Sequence, residues 1–572
     1  MFLLAVASLW VGSILWFVRG NSEDIVNRKS GAFSFNGERR LDSILGDKVD
    51  LPKAKTMAQE LLSLIHHRYE LDTQQGSNFF LTTNNMKSST WDMMKYKFLM
   101  KILGSDKTFL LVFGGSSVTA GHDNYYSQSY PFILDKRMSP ILSALGVEMH
   151  THNIAQGANN CSPYQLCYEA MGGENADVIG WEQSYNCGHD DNIFELAARF
   201  AGWSKRKGII YYSASGAWIP NKCAASKDSP PYSDEMWHPE SANLSPWLPG
   251  ENDVKKEREM LNSYAQATLS AQRFANGYQQ GGHDYSGVGA HGFNVWEANP
   301  KCTTVTEDGQ SKSRCNGIDA AAGCTLKFMS LEASWFGKED KHGANWHPTR
   351  AFHMLRGEAI AWLYTLALLD GIFELEKDLS SSGATKESLL AKYTAKFDEL
   401  HKPLPSPRKC QDYYHCHVRP ACFTDFLPHY PADKSLKDVV VGKTRWAYVA
   451  EEFSDWSLQY GYKDSKPYWV SKGDQGSIHL KVLVNNVDSV WICGNIGDSL
   501  KHATFYVDQG AGGEVENYVP SSKAVKWPHR KYMNGECTAV QKLPKGQHVI
   551  SISTEGMAKD EVAALSHVIM WP

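Results

Sequence analysis

The stretch TFLLVFGGSSVTAG, residues 108–121, decides the fold. Phe109 to Phe113 is an unbroken run of large apolar side chains, too short for a helix of ordinary length and suited to a strand buried on both faces. Two glycines and two serines stop it, and a turn with a helix or loop begins at once. Outward from this stretch the same texture recurs. A helical pattern, PFILDKRMSPILSAL, leads to VEMHTHNIA; then come DVIGWEQS, NIFELAARFAGWSKR, GIIYYSASG, the long VKKEREMLNSYAQATLSAQRFANGY and GFNVWEA. Strand alternating with helix predicts a parallel sheet covered on both faces. The final helix starts near His347 and runs HPTRAFHMLRGEAIAWLYTLALLDGIF; Arg350, His353, Arg356 and Glu358 in its first turns favour a buried amphipathic helix over a membrane span.

The whole chain has 572 residues, more than one ordinary core holds, so an α/β domain with something appended is expected. With 42% hydrophobic and 12% aromatic residues it has ample material for packed cores, and its charges nearly cancel to −5. No basic stripe is present to neutralise phosphates, which sets nucleic acid aside as a partner. The twelve cysteines, clustered as Cys161/Cys167/Cys187, Cys302/Cys315/Cys324 and Cys410/Cys416/Cys422, fit the oxidising secretory pathway. Phe2 to Val18 is an apolar run closed by Arg19, read as either a cleaved signal peptide or an uncleaved membrane anchor over residues 1–20.

Residues 21–104 read as a polar stem with helical patches, where the adjacent His66 and His67 are expected to be solvated. The α/β region spans 105–375 and contains a long cysteine-bearing insert at 217–330 whose prolines and tryptophans suggest a stapled lid. Residues 376–438 read as a cysteine-stapled linker. Beyond it, over 439–572, strict alternation as in SIHLKVLVN predicts a C-terminal antiparallel β-sandwich.

Chemistry concentrates where apolar strands end. A serine becomes a nucleophile when a tight turn exposes its Oγ beside a base and near backbone donors, and GGSSVTAG supplies such a turn at the carboxyl edge of a parallel sheet, where ligands bind. The second strand ends in NIAQGANN, with a glycine amide open to an oxyanion; the third ends in DVIGWEQSYN, with Asn186 just beyond it; and NWHP sets His347 at the head of the last helix.

These four blocks in this order resemble the SGNH (GDSL-type) serine hydrolases, whose first block reads GDSxTxG. GSSVTAG at 115–121 matches with Ser116 in place of the usual Asp, and the likeness extends over about residues 105–370. The resemblance implies a flavodoxin-like three-layer α/β/α domain. It also implies Ser117 as nucleophile, His347 as its base, and an oxyanion hole from the amides of Ser117 and Gly157 with the Asn186 side chain. The family places an Asp three residues before the catalytic His; here that position is Ala344, and Asp340, with Glu339 beside it, is the candidate for orienting the imidazole. No cofactor or metal is implied.

Other constellations have plainer readings. His415, Cys416 and His417 beside Cys410 and Cys422 have a zinc-like composition, for which the secretory context favours disulfides. His283, His342 and His353 read as solvated or core histidines. Asn160 and Asn243 head glycosylation sequons weakened by the prolines that follow. Trp446, Trp456, Trp469, Trp491, Trp527 and Trp571 serve either sugar stacking or a core. The expected function is therefore an esterase acting through an acyl-enzyme on an acylated small molecule or glycan. The alternatives are a membrane-anchored glycan O-acyltransferase and a catalytically impaired glycan-binding surface protein, and the oligomeric state stays open.

Overall fold

The computed structural model describes residues 44–46, 48–72, 80, 84–121, 126–157, 164–182, 199–213, 247–269, 285–293, 302–307, 310–315, 350–402, 419–425, 434–449, 468–484, 489–494, 500, 503–507, 537–541 and 545–571. In chain order the first half holds α1 (Leu51–Arg68), β1 (Asn84–Asn85), α2 (Ser88–Leu103), β2 (Thr108–Gly115), α3 (Ser117–Ala120), α4 (Tyr130–Ala144), β3 (Glu148–Asn153), α5 (Tyr168–Gly172), β4 (Val178–Glu182) and β5 (Ile209–Ser213). Then come α6 (Glu251–Leu269), β6 (His291–Phe293), the hairpin β7 (Cys302–Glu307) and β8 (Gln310–Cys315), α7 (Arg350–Ser380) and α8 (Lys386–Leu400).

All five apolar runs read from the sequence are strands of one sheet, in the order β1-β6-β5-β4-β2-β3. β2 pairs in parallel with β3 on one side and β4 on the other, β5 and β6 continue in parallel, and only the two-residue β1 runs antiparallel. The chain steps from β2 outward to β3 and then returns across β2 to β4, so connections leave the sheet in opposite directions at the β2/β4 seam. In such sheets the crevice at that seam, beyond the carboxyl ends, is where ligands bind.

Alternate residues of β2 feed two different cores. Phe109, Leu111 and Phe113 join a core built with α1, α2, α4, α7 and α8; Leu110 and Val112 face the other way. The helices on the first side are locally well specified. Asp50 caps α1 by accepting from the Lys53 amide at 2.9 Å, and Thr385 and Ser388 form a capping box at the start of α8. Residues 353–372 of α7 are buried without interruption, so this helix is enclosed all round and not amphipathic as expected. Among the described residues no helix is long and apolar enough to cross a membrane, and the run 1–20 lies outside them.

Two segments do more than the sequence suggested. The region read as a stem supplies α1 and α2, with Leu62, Ile65, Trp91, Met94 and Leu99 in the first core, and His66 stacks on Trp247 with ring centroids 4.4 Å apart. The region read as a linker supplies α8, burying Leu389, Tyr393 and Phe397, and a strand, β9 (Ala421–Thr424). Within the 217–330 insert, β6 is a strand of the parallel sheet and not part of a lid.

The C-terminal half contributes β10 (Val440–Thr444), β11 (Ala447–Val449), β12 (Tyr468–Lys472), β13 (Ser477–Val484), β14 (Ser489–Cys493), β15 (Thr504–Val507), β16 (Cys537–Gln541), β17 (Gly546–Ser553), β18 (Val562–Leu565) and β19 (His567–Met570). They form three antiparallel sheets, β10-β13-β17-β15, β11-β12-β18 and β16-β14-β19-β9, which share one apolar core. β14 alternates like β2: Val490 and Ile492 enter that core, while Trp491 and Cys493 face the parallel sheet. The second face of the parallel sheet is thus covered by α5, residues 199–203 and the β16-β14-β19-β9 sheet, where helices alone were expected. Trp491 and Trp571 meet edge to face there, and a Cys167–Cys422 disulfide joins the two halves. A second disulfide, Cys493–Cys537, crosses paired strands. The described tryptophans of the C-terminal half, Trp446, Trp469, Trp491 and Trp571, are all buried, which answers sugar stacking with core packing at these four positions.

Candidate active site

The GSSVTAG turn is built residue by residue. Gly115, the last residue of β2, has no room for a side chain: a Cβ there would lie 2.3 Å from Thr119 Oγ1 and 2.9 Å from the Glu182 carbonyl oxygen. Ser116 is the N-cap of the single turn α3, its Oγ accepting from the Val118 amide at 3.2 Å. Gly121 stops the turn in the left-handed region at φ 81°, packed so tightly against Ser129 that a side chain would clash as well as strain. Ser117 is therefore the first residue of a forced turn at the carboxyl end of β2, on the seam with β4. Its neighbours' amides are committed: Ser116 N–H donates to the Glu182 carbonyl at 2.9 Å, and Val118 N–H to Ser116 Oγ.

Glu182, the last residue of β4, lies directly beneath this turn and is fully buried. Its Oε2 accepts from Ser116 Oγ at 2.7 Å, from Ser116 N–H at 3.2 Å and from Thr119 Oγ1 at 2.9 Å. Because the Thr119 hydroxyl proton is spent on Glu182, the Tyr130 hydroxyl, 3.0 Å away, donates to Thr119. A one-way chain of donors thus runs from Tyr130 through Thr119 to the carboxylate. Glu182 Oε1 is buried with no hydrogen-bond partner among the described residues.

The ends of the neighbouring elements close on the same turn. Asn153 at the end of β3 donates to the Thr119 carbonyl at 2.8 Å and to Ser129 Oγ at 3.1 Å, tying β3 to the turn and to the start of α4. The Gln156 amide donates to the Gly115 carbonyl at 3.2 Å, which brings the next residue, Gly157, beside the serine turn. From the other side α7 packs on α4 so closely that a Cβ on Gly357 would meet the Tyr130 carbonyl at 2.8 Å. His353 Nδ1 accepts from the Tyr130 amide at 3.3 Å, and the Arg356 guanidinium lies 4.2 Å over the Tyr130 ring. Burial disfavours the Arg356 charge, but the surrounding Tyr130, Tyr211 and Glu182 hold its pKa above the ordinary value.

Of the residues picked from the sequence, Ser117 and Gly157 are thus brought to one edge of the sheet. Asn186, His347, Asp340, Glu339 and Ala344 lie outside the described residues; His347 precedes the first residue of α7 by three positions along the chain. Sequence reasoning missed Glu182, Thr119 and Tyr130. The signal for Glu182 was a lone carboxylate closing the otherwise apolar DVIGWE strand at a sheet's carboxyl edge. No group able to hold a metal occurs among the described residues, and Cys422 is spent on Cys167; His415, Cys416 and His417 lie outside them.

No family model matches this sequence, and neither does any curated protein. Two solved structures of a two-domain esterase active on acetylated mannans are similar in layout. The one co-crystallised with mannopentaose aligns with a TM-score of 0.35 at 11% identity, over 86% of this chain and 96% of that chain. The other aligns with a TM-score of 0.32 at 11% identity, over 84% and 95%. A likeness this low fixes neither fold nor function.

Proposed function

We propose that the chain is a serine esterase of the SGNH type, acting on an ester such as an O-acyl group of a carbohydrate. The parallel sheet with its helices would be the flavodoxin-like catalytic domain, about residues 105–375, and the C-terminal strands an attached sandwich. The observation that carries this reading is Ser117 at the head of a forced turn on the β2/β4 seam, with Gly157 brought alongside by the Gln156 amide. In this reading Ser117 Oγ attacks the acyl carbon, His347 takes the hydroxyl proton, and the Ser117 and Gly157 amides with the Asn186 side chain hold the oxyanion. The same proton returns to the departing alcohol, and water, activated by His347, releases the acid and restores the serine. Asp340 is the group proposed to orient His347. The two disulfides among the described residues fit an oxidising compartment and so the secretory pathway.

The test is covalent labelling of the purified protein by a fluorophosphonate, with hydrolysis of acetylated sugars and aryl acetates measured beside it. Wild type should label and turn over, and Ser117→Ala should do neither. Equal labelling of the two proteins would sink the serine-hydrolase reading.

A further inference from the structure

We infer that Glu182 is the positioning residue of this site: its buried carboxylate clamps the serine turn from below and fixes where Ser117 stands. As a role in the reaction, this rests on the esterase reading above; as a mechanical role it stands on the hydrogen bonds alone.

One oxygen, Oε2, holds both ends of the turn. Ser116 bonds to it twice, through amide and hydroxyl, and Thr119, one turn on, bonds to it once. Between these anchors lies Ser117. The clamp is itself rooted on both sides: the Ser116 amide also reaches the Glu182 carbonyl at 2.9 Å, joining the turn to the β4 backbone, and Thr119 is held by the Tyr130 hydroxyl of α4 and by Asn153 of β3. A fully buried carboxylate needs compensation, since an isolated charge is far costlier inside a protein than a hydrogen-bonded one. Three donors supply part of it, and Arg356, stacked over the Tyr130 ring, supplies a cation on the same side of the sheet. Because Arg356 sits on α7, the arrangement also sets the helix that follows His347 against the turn that bears Ser117. Retaining a buried acid here costs stability that an apolar residue would not, and its return is a nucleophile with little freedom to move. Misplacement of a reacting group by about 1 Å is enough to cost about 10²-fold in rate.

The test uses Glu182→Gln, which keeps the shape and removes the charge, and Thr119→Val, which removes one donor and leaves the carboxylate. For each folded variant the rate of fluorophosphonate labelling is measured. kcat and KM for p-nitrophenyl acetate and amide hydrogen exchange over residues 117–121 are measured with it. The expected result for Glu182→Gln is about a 10²-fold loss of labelling rate and kcat with KM unchanged, together with faster exchange in the turn. Thr119→Val should show a smaller change of the same kind. Labelling and exchange at wild-type rates in both variants would overturn the proposal. If wild type itself does not label while exchange in the turn still quickens in the variants, the esterase reading fails and the clamp is supported.

Discussion

At the scale of single residues, Ser116 in the serine turn has a partner that explains its chemistry. The hydroxyl of Ser116 is 2.7 Å from the buried carboxylate of Glu182. Serine can both cap the Val118 amide and donate to Glu182; an aspartate could only do the first. Ser116→Asp is therefore expected to place two like charges in contact and raise the pKa of the pair. The folded state would then bind more protons than the unfolded one near neutrality, so this variant's stability deficit should shrink as pH falls from about 7 to about 5. Thermal unfolding of variant and wild type across that range checks it, and a deficit that does not change with pH would count against the pairing. Ser117 and Gly157 were legible because strand-end turns advertise themselves through glycine and serine. Glu182 was not, because its meaning lies in donors more than sixty positions earlier in the chain, which local pattern does not report.

At the scale of elements, α7 carries a second buried acid with the opposite logic. Glu358 is fully buried and takes Arg68 from α1, Arg137 from α4 at 2.6 and 2.9 Å, and the Tyr69 hydroxyl at 2.7 Å. Burial pushes its pKa up, but Arg68 and Arg137 outweigh this and hold it below the ordinary value. The acid thereby pins three helices together. Glu358→Ala should cost about 3–5 kcal/mol, because it leaves the buried Arg68 without its counter-charge; urea unfolding measures this, and a loss under about 1 kcal/mol would mark the pair as a surface-like contact. The helical period made α7 and α1 visible in the sequence. The burial of α7 was expected, though not on every side, while α1 was read as part of a polar stem: a helix enclosed on all sides and a helix at the edge both carry charges, and only tertiary pairing distinguishes a buried ion pair from a solvated one.

At the scale of the whole molecule, the C-terminal sheets are not a passenger. One of them forms part of the second wall of the parallel sheet, so the two halves share a core, and the alternation that revealed each strand gave no hint of which strand would face which. Both halves also keep neutral histidines inside. Burial lowers the pKa of His291 to about 4, of His401 to about 4 and of His567 to about 3. His291 shows why: its Nδ1 must donate to the Gly289 carbonyl at 3.0 Å, which leaves Nε2 to accept from the Tyr364 hydroxyl at 2.8 Å. Protonation would break that arrangement. Since the unfolded chain takes up these protons near pH 6.5 and the folded one does not until about 4, stability should be complete above about pH 6.5 and fall steadily below it. A melting temperature that stays flat down to pH 4.5 would contradict this, and His291→Gln should make the slope shallower.

The Cys167–Cys422 bond joins residues 255 positions apart. During synthesis the Cys167 thiol exists long before its partner does, in the company of Cys161, six residues before it, and Cys187, 20 residues after it. Part of the apolar face of β2 and β4 stands open for the same interval, because the β16-β14-β19-β9 sheet that completes its cover is made last. Yield of the active molecule is thus governed by what happens in that waiting period: a disulfide isomerase and a chaperone acting on the nascent chain should matter more to this protein than the speed with which either half folds.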